Sequence, residues 1–114
     1  MMKFIKTLSL STLLLTGCAM FYPQYSGEST ADARLKADTE QAVIFPFVYY
    51  YNCSIGKIKI HTQILNIEQD PNSNTLKLAQ ELWKVNACGN LKDVYIDFIP
   101  DGQGGTFIKS RFTP

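Results

Sequence analysis

The chain has 114 residues, with 11 Lys and Arg against 10 Asp and Glu and a single His. A near-neutral balance with no basic stripe and no acidic tail argues against nucleic acid as a partner. The length allows one small domain, and seven Phe, six Tyr and one Trp are ample for its core.

The first element in chain order is a leader. Lys3 and Lys6 make the opening MMKFIK positive, Leu8 to Leu15 form an apolar run broken only by small hydroxylated residues, and Thr16 and Gly17 lead into Cys18. A charged head, a short apolar middle and a small-residue site predict a secretory signal peptide over residues 1–17, too short to span a bilayer as a stable helix. The ending Leu15-Thr16-Gly17-Cys18 resembles the lipobox of bacterial lipoproteins. The resemblance implies that the Cys18 thiol receives a diacylglyceryl group through a thioether, that the chain is cut before Cys18, and that the new amine is acylated. Removing seventeen residues from 114 leaves 97. Each buried methylene contributes ~0.8 kcal/mol, so one acyl chain holds marginally and two or three hold firmly. Ala19 stands where an aspartate would favour the inner membrane, so the resemblance implies the periplasmic face of an outer membrane. No later run approaches the roughly 18 apolar residues that a spanning helix needs.

Three cysteines are present: Cys18, Cys53 and Cys88. With Cys18 lipidated as the resemblance implies, the other two lie in an oxidising compartment, and a Cys53–Cys88 disulfide is the default. It would close a loop of about 36 residues, for which the chain-entropy model gives roughly 3.8 kcal/mol before strain is subtracted. Two free thiols or a redox pair are the alternatives, although a redox pair usually reads C-x-x-C.

Residues 19–28, AMFYPQYSGE, carry Pro23 and Gly27 without periodicity and read as a linker. In STADARLKADTEQA, Ser29 and Asp32 fit a capping-box-like start and Asp32/Lys36 and Arg34/Asp38 are spaced for helical ion pairs, but the apolar stripe is thin. Residues 18–42 are therefore expected to form a lipidated tether with a short solvated helix, and residues 43–114 the folded domain.

VIFPFVYYYNC, rich in aromatic and β-branched residues, predicts a strand with Pro46 at an edge or near its start. After Gly56, Ile58, Ile60 and Ile64 alternate with Lys57, Lys59, His61 and Gln63, predicting a half-buried strand. EQDPNSN is a loop. TLKLAQELWKVNAC is ambiguous by period and is expected as a short helix near 75–80 followed by a strand over 81–88. A turn beginning at Gly89-Asn90, a strand through DVYIDFI, the PDGQGG turn and a last strand TFIKSRF complete the chain. The order predicts an α+β fold: a small antiparallel sheet of four to five strands, one or two short helices and one disulfide.

No catalytic or metal constellation emerges. His61 lies among lysines on a polar strand face, and neither Ser54 nor Asp97 is required by spacing to join it as a hydrolytic set. One His and two oxidised Cys do not close a zinc site. Asp70, Asn72, Asn74 and Glu81 match positions 1, 3, 5 and 12 of a calcium loop, but Thr75 stands where the turn needs glycine. Asn52-Cys53-Ser54 matches a glycosylation sequon, but a bacterial lipoprotein would leave it unused. The Tyr49-Tyr50-Tyr51 cluster suits edge packing, or a protein partner if exposed, since tyrosine is enriched at interfaces. The expectation is a non-enzymatic, cofactor-free binding or envelope-organising module, held to the membrane by its lipid and able to meet another envelope protein. YYYNCSIGKIKI also faintly resembles the tyrosine-then-cysteine strand of lysozyme-inhibitor lipoproteins, which implies a defence role as the alternative.

Overall fold

The computed structural model describes residues 22–113. The expected leader 1–17 and the expected lipidation site Cys18 lie outside the described residues. The folded chain begins earlier than the sequence suggests. Gln24–Gly27 form an edge strand, β1, which pairs in parallel with Ile58–Gln69, β2. Leu76–Ala87 (β3), Asn90–Pro100 (β4) and Thr106–Phe112 (β5) follow as an antiparallel meander, giving the sheet order β1-β2-β3-β4-β5. Between β1 and β2 one eighteen-residue helix crosses a face of the sheet. It consists of α1 (Ala33–Thr39), a π-helical turn (Glu40–Ile44) and α2 (Phe45–Tyr50). The fold is α+β with a mixed, mostly antiparallel sheet.

Three expectations are corrected. Residues 24–42 belong to the folded unit rather than to a tether: Ala31, Thr39 and Glu40 are buried and β1 is a strand of the sheet. Second, the aromatic run 43–50 is helical. Val43, Ile44 and Val48 are buried, Phe47 packs against the core, and Tyr49 and Tyr50 point out. That spacing continues from Thr39 and Glu40 at three- and four-residue intervals, a helical stripe that β propensity outweighed in the sequence reading. Pro46 has no N–H to donate, and in a regular α-helix its ring would crowd the carbonyl four residues back. The helix widens there, and the Phe45 amide bonds the Glu40 carbonyl, five residues back. The tyrosine-then-cysteine part of the segment expected to resemble the lysozyme-inhibitor strand, residues 49–53, is therefore helix end and turn, and only its last residues, 58–60, are strand. Third, residues 76–80 extend β3 rather than forming a helix. Ala79, Glu81, Trp83, Val85 and Ala87 face inward with period two, and strands on both sides supply the pairing that overrides the helix propensity of KLAQEL.

The core lies between helix and sheet, with Ile44 and Val48 over Ile58, Ile60, Trp83, Val94, Ile96 and Phe98. Asp32, not Ser29, caps the helix, its Oδ1 accepting from the Leu35 amide at 2.8 Å. The Cys53–Cys88 disulfide is present, with Cα atoms 5.8 Å apart, and joins the segment after the helix to the β3–β4 turn. Cys88 and Gly89 both have positive φ (54° and 92°), as a two-residue turn that follows the twist of a hairpin requires.

Candidate functional site

β1 starts at one end of the molecule, and the register collects the surrounding features there. Gln24 lies opposite Lys59, Lys59 opposite Asn86, and Asn86 opposite Leu91. The helix runs back to the same end, since the disulfide ties Cys53, just after it, to the β3–β4 turn. The Gln24 side chain donates to the Gly56 carbonyl at 3.4 Å.

This end is unusually apolar for a surface. Tyr49 is 86% exposed, Tyr50 83%, Leu91 75% and Tyr22 65%. Ile55 and Phe112 stand at its margins, also exposed. A shallow groove of about 540 Å³ runs between helix and β5 edge, lined by Pro46, Phe47, Tyr50, Tyr51, Lys92 and Phe112. Phe47 stacks edge-on to Tyr51 at 5.0 Å, which holds the groove's floor. Lys92 lines the groove, Lys57 and Lys59 add positive charge elsewhere at this end, and the nearest carboxylate in β4, Asp93, lies opposite Lys84.

His61 sits on the sheet face away from the helix, in a row running Ser26, His61, Lys84, Asp93 across four strands. Ser26 Oγ lies 2.9 Å from His61 Nδ1. The serine beside the histidine is thus Ser26, not Ser54, and the carboxylate in its row is Asp93, not Asp97. Asp97 lies four residues along β4, opposite Gln80 and Lys109. A hydroxyl within reach of an imidazole is the start of a nucleophile–base pair, but such a pair also needs an acid to orient the base. Lys84, a cation, lies between His61 and Asp93 in the register. Among the described residues no three His, Cys, Asp or Glu side chains gather as a metal site. The calcium-loop match is dispersed. Asp70 Oδ1 accepts from the Asn72 amide within its own turn, whereas Glu81 lies about 20 Å along the strand from Thr75.

Glu81 is fully buried and serves the fold. Its Oε1 accepts from Ser29 Oγ at 2.7 Å and from the Trp83 indole N–H at 2.9 Å. Its Oε2 accepts from the Thr30 amide at 2.7 Å and the Thr30 hydroxyl at 2.5 Å. Four donors on one carboxylate bind the β1–helix connection to the central strand. Beside it, Tyr25 packs edge-on to Trp83 at 5.7 Å, under the Lys36 ammonium at 4.8 Å, and donates its hydroxyl to Glu40. Burial first, then the hydrogen bond to Glu40 and that residue's negative charge, push the Tyr25 hydroxyl far above its ordinary pKa.

Tyr25 and Ser26 fall in a stretch that lacks periodicity, so sequence reasoning passed over them, and Ser29, read as part of a helix cap, instead donates with Thr30 to Glu81. One signal was available: Gly27, whose φ of +85° and close approach to β2 only glycine allows. Comparison with protein families, with curated proteins and with solved structures finds no match to this chain.

Proposed function

We propose that the chain is a lipoprotein anchored through Cys18 at the periplasmic face of a bacterial outer membrane, where its domain acts as a non-enzymatic binding module. The observation that carries this reading is the division of its three cysteines. Two form the Cys53–Cys88 bridge, and the third is the one that ends the apolar leader. A structural disulfide favours an oxidising compartment, as export behind a signal peptide requires. The small domain then gains stability from the staple rather than from size. The sheet face away from the helix is free to meet an envelope partner, with Ile99 and Phe107 paired across β4 and β5. The test is the intact mass of the protein extracted from membranes. The expected mass lacks residues 1–17, carries acyl chains and is two hydrogens short of two free thiols. A Cys18→Ser variant should lose the acyl mass and leave the membrane fraction. A wild-type chain that keeps its leader and carries no lipid overturns the reading.

A further inference from the structure

The place where β1 begins determines how an anchored domain would sit. We infer that the end bearing Tyr49, Tyr50, Ile55 and Leu91 rests on the lipid surface, with Lys57, Lys59 and Lys92 against anionic headgroups. This rests on the reading of Cys18 as the anchor.

Gln24, the first residue of β1, is six residues from Cys18, and six residues fully extended span at most roughly 20 Å. That is short for a leash, and it leaves from the end of the sheet where the exposed aromatic side chains lie. An anchor at Cys18 therefore holds this end, rather than the opposite one, at the membrane. Its chemistry suits that position. Tyrosine places an apolar ring at the headgroup level and keeps its hydroxyl in water. Tyr22, Tyr49 and Tyr50 are exposed, and Leu91 projects beside the β3–β4 turn. Lysines near an anionic leaflet are attracted to it, and their stems can lie along the apolar boundary. At the opposite end Ile67 and Phe107 are exposed too, but Glu68, Asp70 and Asp101 lie among them with Lys77. An anionic surface would repel that end. Charge and attachment thus select the same pole, and the docked domain turns its acidic pole outward.

The test is hydroxyl-radical footprinting of the acylated full protein on vesicles of phosphatidylethanolamine and phosphatidylglycerol. The reference is the unacylated Cys18→Ser chain in buffer, with oxidation read residue by residue. Tyr49, Tyr50 and Leu91 should be protected several-fold on vesicles, while Ile67 and Phe107 at the far pole keep their reactivity and control for scavenging by lipid. Equal reactivity of the two poles in a protein whose mass shows its acyl chains overturns the docking and leaves the anchor standing. A mass without acyl chains overturns the anchor itself. Protection of the same three residues in the Cys18→Ser chain without vesicles, with sedimentation as a dimer, assigns the surface to a second copy and also overturns the docking. In the acylated protein, Tyr49→Ser combined with Leu91→Ser changes only exposed positions, so the fold should persist. Tyr50 oxidation should then rise toward its value in solution, and unchanged protection counts against a role for these side chains.

Discussion

Replacing Glu81 by Gln isolates the network that joins the start of the chain to the middle of the sheet. The two side chains have nearly the same shape, so packing around the site is preserved. The amide, however, presents one acceptor oxygen and one NH₂ where the carboxylate presents two acceptors. If the NH₂ replaces Oε1, it faces the indole N–H of Trp83, which only donates; if it replaces Oε2, it faces the Thr30 amide, which also only donates. The hydroxyls of Ser29 and Thr30 can rotate to accept, but in either orientation one obligate donor is stranded. A buried donor without a partner costs about 1–3 kcal/mol, and Glu81→Gln should lose that much. Glu81→Ala strands both donors and leaves a void, so it should lose at least twice as much, a large share of the ~5–15 kcal/mol typical of a domain. Urea unfolding followed by Trp83 fluorescence, with the disulfide intact, measures both. A Glu81→Gln variant within about 0.5 kcal/mol of the parent, or an Ala variant no weaker than Gln, would refute the account. The loss should also speed amide exchange at Ala31, whose N–H donates to Ser29 Oγ at 3.0 Å.

Three further outcomes are expected. A Cβ on Gly27 would meet the Thr62 carbonyl oxygen at 2.0 Å, so Gly27→Ala should break the β1–β2 pairing and cost more than the ~1 kcal/mol of an ordinary positive-φ substitution; exchange of the Glu28 amide, bonded to that carbonyl at 3.1 Å, reports it. Because the Tyr25 hydroxyl holds its proton more tightly when folded, stability should be independent of this group below its ordinary pKa of about 10 and fall as pH rises above it. The slope from this group is at most about 1.4 kcal/mol per pH unit, lessened by partial solvent exposure of the ring, and should vanish in Tyr25→Phe when unfolding is followed between pH 9 and 11. Breaking the Cys53–Cys88 bridge by the double replacement Cys53→Ser, Cys88→Ser should cost about 4 kcal/mol in urea unfolding. An unchanged midpoint would mean that the staple adds nothing to the packing.

The legible parts of the fold were those with local signals. β2 alternates Ile58, Ile60 and Thr62 inward against Lys59, His61 and Gln63 outward, and that pattern is visible without a partner strand. The PDGQGG turn was equally plain, and Asp101 Oδ1 closes it by accepting from the amides of Gln103 and Gly105 at 2.7 and 2.9 Å. Residues 43–50 misled because both readings fit their composition. Only a helix puts Val43, Ile44 and Val48 on one side, and only the neighbouring π turn makes room for Pro46. Residues 76–80 misled in the opposite direction, since good helix formers there are taken up by two flanking strands. β1 was invisible for a different reason. A four-residue edge strand pairs with residues 35 positions further on, and no local pattern encodes so distant a partner.

Taken alone, the amino-acid order showed the near balance of charge, made a Cys53–Cys88 bridge the default and laid out the strands and turns of the last meander. Each of these depends on residue type or on short-range periodicity. Tertiary contact decided where the domain begins, which serine lies beside His61, that Glu81 is a buried hub, and which pole gathers the exposed tyrosines. Those outcomes arise from pairings across dozens of residues, in which burial and hydrogen-bond satisfaction outweigh local preference.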